Sequence, residues 1–223
     1  MTVETLKRLD DLRAQPDPDP AQVAALHKRI SDMRGVVDRA VERIGQLVSL
    51  IRHFSREGFP STAMPTSAAE VVAEAVELVR PPGDERPVVR VVATDDTLLV
   101  LCAPEELGQA IAHLVRNALD AAGTTGHVDV ATRLESGAVV ISVQDDGPGI
   151  SRENLSRVFA PFFTTKPPGS GIGIGLSIAQ HVIGRLGGTI ELRSRLGEGT
   201  LVKVRLNQAM PDDTSPTGRG GAA

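Results

Sequence analysis

The chain has 223 residues, 41% of them hydrophobic, and a net charge of −4. That is long enough for one or two domains with a real core, and the negative balance gives no reason to expect a nucleic-acid partner. A single cysteine, Cys102, excludes an internal disulfide and a cysteine-rich metal cluster. Trp and Tyr are absent and there are only five Phe, so the core must be aliphatic. No run approaches the roughly 18–20 apolar residues of a membrane span. The first residues, with Glu4, Lys7, Arg8 and Asp10, lack the apolar core of a signal peptide, so a cytoplasmic location is expected.

In chain order, Val3 to Arg13 reads as a short helix with Leu6, Leu9 and Leu12 on one side. Pro16-Asp17-Pro18-Asp19-Pro20 stops it. The same segment starts the next helix, with Asp19 as N-cap, Pro20 at the first helical position and Gln22 placed for a capping box. In that helix Val23, Leu26, Ile30, Met33, Val37, Ala40, Ile44, Leu47, Ile51 and Phe54 recur in steps of three and four. Such a seam wants another helix. A helical hairpin that dimerises into a four-helix bundle, with residues 21–56 as the contact, satisfies it. Gly58 and Pro60 end the helix. Residues 1–60 are the expected hairpin and 61–66 a linker.

Ser67 to Arg80 reads as a helix, stopped by Pro81-Pro82-Gly83. Val88 to Ala93 and Leu98 to Cys102 read as strands around an Asp95-Asp96 turn, with Cys102 a buried small hydrophobe. Pro104, Glu105 and Glu106 start a helix that runs to about Ala122. Its apolar face is Leu107, Ala110, Ile111, Leu114, Ala118 and Ala121, with Asn117 at the rim. Strands follow at Val128 to Leu134 and Val139 to Val143, then a short helix near Arg152 to Val158 and a Pro-rich loop. A helix from about Gly173 to Leu186 and strands at Thr189 to Ser194 and Leu201 to Leu206 complete the domain. Helices and strands mix without regular βαβ alternation, so the expected class is α+β, with helices on one face of a mixed sheet over residues 67–208. Residues 209–223 read as a tail too polar to pack.

Three pieces of this domain carry chemistry. Asn117 offers an amide oxygen suited to a hard cation, though alone it reads first as a solvated or capping residue. Asp145 ends an apolar strand, where a carboxylate can accept from an exocyclic amine, and Gly147 and Gly149 permit a tight turn beside it. The spacing of a calcium loop is absent. Gly171, Gly173 and Gly175 precede a helix whose N–H groups suit phosphate. They form neither Gly-x-Gly-x-x-Gly nor a Walker A loop, and a hinge is the plain alternative. Lys166 could add a point charge.

Taken together and in order, these pieces resemble the catalytic ATP-binding domain of sensor histidine kinases, within the superfamily of gyrase, Hsp90 and MutL ATPases. Asn117 matches the N box, Asp145, Gly147 and Gly149 the first glycine box, and Phe159 to Phe163 the F box. Gly171, Gly173 and Gly175 match the second glycine box, and Gly199-Thr200 the last glycine motif. The resemblance implies a Bergerat-type α/β sandwich that binds ATP with Mg2+. It implies Asp145 reading adenine, Asn117 holding Mg2+, and a lid around Lys166. It extends ATP binding to Phe162, Thr165, Leu176 and Thr200. Hydrolases of the superfamily carry a glutamate four residues before the magnesium asparagine, and histidine kinases usually carry Asn. Here that position is His113, which departs from both patterns and leaves its role open.

The second helix resembles that of the kinases' dimerisation domain, with Arg52-His53-Phe54-Ser55-Arg56 as its end. The first helix departs from it, because residues 1–15 hold no phosphoacceptor His. His27, followed by Lys28-Arg29, is a weak stand-in, and the chain is expected to begin downstream of the acceptor motif. The implied function is the ATP-binding kinase core of a two-component sensor histidine kinase. It would transfer the γ-phosphoryl group to a histidine and work with a response regulator or partner kinase. The alternative is a non-catalytic, dimeric ATP-binding adaptor. An anti-sigma-type serine kinase shares the ATP domain but lacks the long hairpin.

Overall fold

A computed structural model describes residues 19–34, 45, 63–79, 88–92, 95, 97–167 and 171–213. The chain divides into two compact units: Met1–Ser49 with Lys166–Gly171, and Leu50–Thr165 with Ile172–Ala223. The expected first helix, the seam beyond Met33 and His53 lie outside the described residues, Gly45 apart.

In the first unit, helix α1 covers 20–34. Asp19 caps it as the sequence requires: its Oδ1 accepts the backbone N–H of Ala21 at 3.0 Å. The described part of the seam is visible in the exposures. Leu26 is buried and Val23, Ile30 and Met33 are half-buried, whereas the residues between them, His27 included, are exposed.

The second unit is a seven-stranded mixed sheet with helices against one face. Its elements are β1 (Met64–Ser67), α2 (Ala68–Val79), β2 (Val88–Val91), β3 (Leu99–Cys102) and α3 (Pro104–Ala122). They continue with β4 (His127–Glu135), β5 (Ala138–Asp145), α4 (Arg152–Leu155), α5 (Gly175–Arg185), β6 (Thr189–Arg195) and β7 (Gly199–Ala209). The strand order is β1-β3-β7-β5-β4-β2, with β6 paired to β7. All pairs are antiparallel except β2 with β4. A parallel pair needs a crossover, and here β3 and α3 lie between the two partners in sequence.

Period-2 patterning decides which face is buried. Val139, Ile141 and Val143 of β5 stand opposite Leu206, Val204 and Val202 of β7, and all six are buried in the core. Residues of the other parity are largely polar. Glu135 accepts Lys203 Nζ at 3.4 Å and lies 3.6 Å from Arg205, and Arg90 forks onto Asp129 directly across the β2–β4 pair. Helix α3 is central and packs against α2, α5 and strands β4, β5 and β7. Leu107, Ile111, Leu114 and Val115 are at most 2% exposed. Each such side chain contributes about 1.5–3 kcal/mol by burial.

Three sequence expectations are corrected. Met64, Pro65 and Thr66, assigned to a 61–66 linker, form most of β1 and pair with β3. Ser67, expected to open the next helix, ends β1, and its Oγ accepts the N–H of Glu70 at 3.3 Å as the cap of α2. The polar tail starts later than residue 209. Ala209 still pairs with Leu99, and Met210 and Asp213 close a turn through two hydrogen bonds. Residues 214–223 lie outside the described residues.

β2 and β3 flank the Asp95 turn, where Asp95 accepts both the backbone N–H and the hydroxyl of Thr97. The two strands nonetheless do not pair and sit near opposite ends of the strand order. Cys102 is fully buried, and burial pushes its thiol up to about 11, so it behaves as a hydrophobe.

Candidate functional site

The site grows from the end of β5. Asp145, Thr200 of β7 and Ser194 of β6 form one cross-strand row of core parity. The inward apolar alternation Val139, Ile141, Val143 therefore delivers a carboxylate to the core side at its last step. Asp145 is only 6% exposed. Its carboxyl accepts the backbone N–H of Gly147 at 2.9 Å and that of Thr200. Burial is the largest influence and raises its pKa, the two N–H groups pull it back down, and the Asp146 charge raises it again. A buried carboxylate held by backbone donors is oriented but incompletely solvated. A polar ligand group arriving on its open side would be strongly felt.

The turn after Asp145 packs onto α3. A Cβ on Gly147 would lie 2.7 Å from the carbonyl oxygen of Ala121, so only glycine allows this approach. On the other side Gly149 lies against the Arg195 carbonyl. Asp146 points the opposite way. Its carboxylate accepts the His127 N–H at 2.8 Å and faces His127 Nδ1 at 3.0 Å, and these bonds hold its pKa below the usual carboxylate range.

Sequence reasoning missed Ser194. Its hydroxyl donates to the Gly199 carbonyl at 2.8 Å and accepts the Ile150 N–H at 2.8 Å. With that proton committed, Thr200 Oγ1, 3.0 Å away, donates to it. One side chain thus ties the glycine turn to the β6–β7 hairpin. The signal was present: Ile190, Leu192 and Ser194 share one parity, and a hydroxyl ends an apolar alternation. Replacing Ser194 by Ala orphans the Ile150 N–H. It should lower stability by about 1–2 kcal/mol, read as a lower thermal midpoint.

Asn117 lies half-buried on α3, one turn before Ala121. His113 lies one turn earlier still. A Cβ on Gly175, the first residue of α5, would be 3.4 Å from His113 Nδ1. His113, Asn117 and Ala121 therefore form an i, i+4, i+8 stripe that meets the start of α5 at one end and the glycine turn at the other. Gly173 backs onto the Phe163 carbonyl, and Arg157 stacks on the Phe163 ring at 4.6 Å. Phe162 is 60% exposed with φ 67°, and Thr165 is exposed. Leu176 is partly buried against the core. Lys166 and Gly171 group with the first unit.

The fold agrees with what known proteins show. Residues 102–210 match the family model described as Histidine kinase-, DNA gyrase B-, and HSP90-like ATPase. The C4-dicarboxylate transport sensor protein DctB of Rhizobium meliloti (strain 1021) is 34% identical over 171 residues, 75% of this chain and 27% of that protein. The sensor histidine kinase ZraS of Escherichia coli (strain K12) is 31% identical over 178 residues, 78% of this chain and 36% of that protein. The chain thus spans about a quarter to a third of the length of these relatives.

Among solved structures, a mycobacterial sensor histidine kinase, MprB, superposes with TM-score 0.58 at 26% identity. That match covers 66% of this chain and 97% of the other. Full-length ShkA in complex with AMPPNP gives TM-score 0.60 at 21% identity, over 95% of this chain and 43% of that one, a likeness of fold alone. Residues 102–210 belong to the family of histidine kinase-, gyrase- and Hsp90-like ATPases. Within it, the chain carries a catalytic ATP-binding domain of the sensor histidine kinase type. Among the described residues no helix is long and apolar enough to cross a membrane.

Proposed function

We propose that this chain is the kinase core of a two-component sensor histidine kinase. It binds Mg-ATP and transfers the γ-phosphoryl group to a histidine, and a response regulator takes the group onward. The observation that carries this reading is Asp145. It is a buried carboxylate fixed by two backbone N–H donors, beside a turn that glycine alone lets pack on α3. In this reading Asp145 accepts from the adenine amine, and Gly147, Gly149 and Thr200 shape the pocket around it. The start of α5, with Gly173, Gly175 and Leu176, receives phosphate at a helix N-terminus.

Among the described residues no group of three or more His, Cys, Asp or Glu could hold a metal. The amide oxygen of Asn117, with phosphate oxygens and water, suits Mg2+, which keeps several waters and needs no protein cage. Bound there, the ion would neutralise phosphate charge. The protein's own share is to position the nucleotide and exclude water, which is most of what phosphoryl transfer asks of an enzyme. The seam of residues 21–56 is the proposed homodimer contact, with 1–60 as the helical hairpin.

The test uses γ-labelled ATP, with the chain alone and with a dimerisation domain that carries an acceptor His. Label on the supplied histidine supports the kinase. Nucleotide binding with no label in either mixture would instead favour the adaptor. Asn117→Ala should remove Mg2+-dependent ATP binding. Affinity unchanged with and without Mg2+ would defeat the assignment of Asn117.

A further inference from the structure

The hydroxyl of Ser194 has no hydrogen-bonding capacity to spare. The Gly199 carbonyl at 2.8 Å can only accept, so the Ser194 proton points there. One lone pair takes the Ile150 N–H at 2.8 Å, and the other takes the Thr200 hydroxyl proton at 3.0 Å. Turning the Ser194 proton toward Thr200 would forfeit the Gly199 bond. The surroundings hold this arrangement in place. The Gly197 N–H donates to the Pro148 carbonyl at 2.7 Å, a second tie between the glycine turn and the β6–β7 hairpin.

The consequence falls on Thr200. A hydroxyl has one proton, and with that proton held by Ser194, Thr200 Oγ1 offers only lone pairs to anything else. Thr200 stands directly opposite Asp145 across the β5–β7 pair, with both residues on the core side and their Cβ atoms about 5 Å apart. Its backbone N–H is already given to the Asp145 carboxyl. An ionised carboxylate is acceptor-only as well. The two side chains therefore present acceptors and no donor. A purine with an exocyclic amine at position 6 meets them with two N–H groups, whereas a 6-oxo purine meets them with another acceptor. The carboxylate by itself would not make this choice, because a 6-oxo purine carries an N1–H that a carboxylate also accepts. The fixed direction of the Thr200 proton adds what Asp145 lacks.

We propose that Ser194 is a positioning residue that locks the Thr200 hydroxyl as an acceptor and thereby makes the site select 6-amino over 6-oxo purine nucleotides. The inference rests on the ATP-site reading above and deepens it. Calorimetric titration of the full chain with the Mg2+ complexes of ATP and of ITP, its 6-oxo counterpart, tests it. Wild type should bind ATP about thirtyfold more tightly than ITP. In Ser194→Ala the Thr200 proton is released and can turn to the 6-oxo group, so the ATP-to-ITP affinity ratio should fall about tenfold. Loosening of the hairpin weakens both nucleotides alike and cancels in the ratio. Ser194→Thr, which keeps the hydroxyl, should hold the ratio near that of wild type.

A lower thermal midpoint in Ser194→Ala with an unchanged ratio would overturn the proposal and leave Ser194 a structural tie. If Ser194→Ala does not fold, wild type decides with a third ligand, purine riboside triphosphate, which carries only hydrogen at position 6. A locked acceptor makes a facing carbonyl worse than no group, so ITP should bind more weakly than this analogue. ITP that binds as tightly as the analogue sinks the idea. A wild-type chain that binds none of the three defeats the ATP-site reading itself, whereas one that binds ATP and ITP equally defeats only the role of Ser194.

Discussion

Asp145→Asn should lower ATP affinity about a hundredfold without lowering the thermal midpoint at pH 7. The loss combines two effects: a charge-assisted hydrogen bond worth about 1.5–3 kcal/mol disappears, and the new amide can turn a donor toward the adenine amine, itself a donor. The stability expectation follows from the raised pKa of Asp145, whose first cause is burial. A carboxyl whose folded pKa lies above its unfolded value contributes stability that is fully present below the unfolded pKa, about 3.9, and is lost as pH rises through the folded pKa. At pH 7 the ionised, buried Asp145 is thus a cost to the fold. Asn removes that charge, its Oδ1 still accepts the Gly147 N–H, and relief of the buried charge, the largest influence on Asp145, offsets a weakened Thr200 N–H bond. The midpoint of the variant relative to wild type should therefore improve between pH 4 and pH 7. Thermal melts at both pH values and a nucleotide titration check this. A variant that melts several degrees lower at pH 7, or binds ATP unchanged, would show that Asp145 is a structural acid.

The burial cost at Asp145 also explains why the candidate site was legible in sequence. An acid at the end of an apolar strand breaks the local rule, and such breaks gather where function outweighs stability. Helix α3 was legible for the same kind of local reason. Pro104, Glu105 and Glu106 mark its start, Gly123 its end, and period 3.6 its apolar face. What local pattern did not carry was pairing between distant segments. Pro65 argues against a strand in isolation. Its strand is held only by β3, at one end of the strand order, where a missing N–H is tolerated. Ala209 reads as the start of a tail, yet it pairs with Leu99 from elsewhere in the chain. The placement of His113 beside Gly175 is likewise a meeting of two helices that spacing along one of them cannot reveal.

Two glycines in the β6–β7 hairpin separate strain from collision. Gly197 has φ +82°, and a Cβ placed on it would have nothing within 4 Å, so Gly197→Ala meets only the left-handed backbone penalty, about 1–2 kcal/mol. Gly199 has φ +85° as well, but its Cβ would fall on the carbonyl oxygen of Asp145. That oxygen cannot yield cheaply. Asp145 is paired with Thr200 across the ladder and with Val128 on its other side, so moving it disturbs three strands and the carboxylate together. Overpacking of this kind adds about 1–3 kcal/mol to the backbone penalty. Gly199→Ala should therefore cost about 2–5 kcal/mol, a large part of the 5–15 kcal/mol that holds a typical domain together. At roughly 2–4 °C per kcal/mol, its midpoint should fall by about 10 °C, roughly twice the fall for Gly197→Ala. Because the displaced atom belongs to Asp145, Gly199→Ala should also lose ATP binding in whatever fraction stays folded, and Gly197→Ala should keep it. Similar melts for the two variants would mean that the hairpin shifts to absorb the methyl group, and that β5 and β7 do not fix the Asp145 carboxylate as rigidly as their register implies.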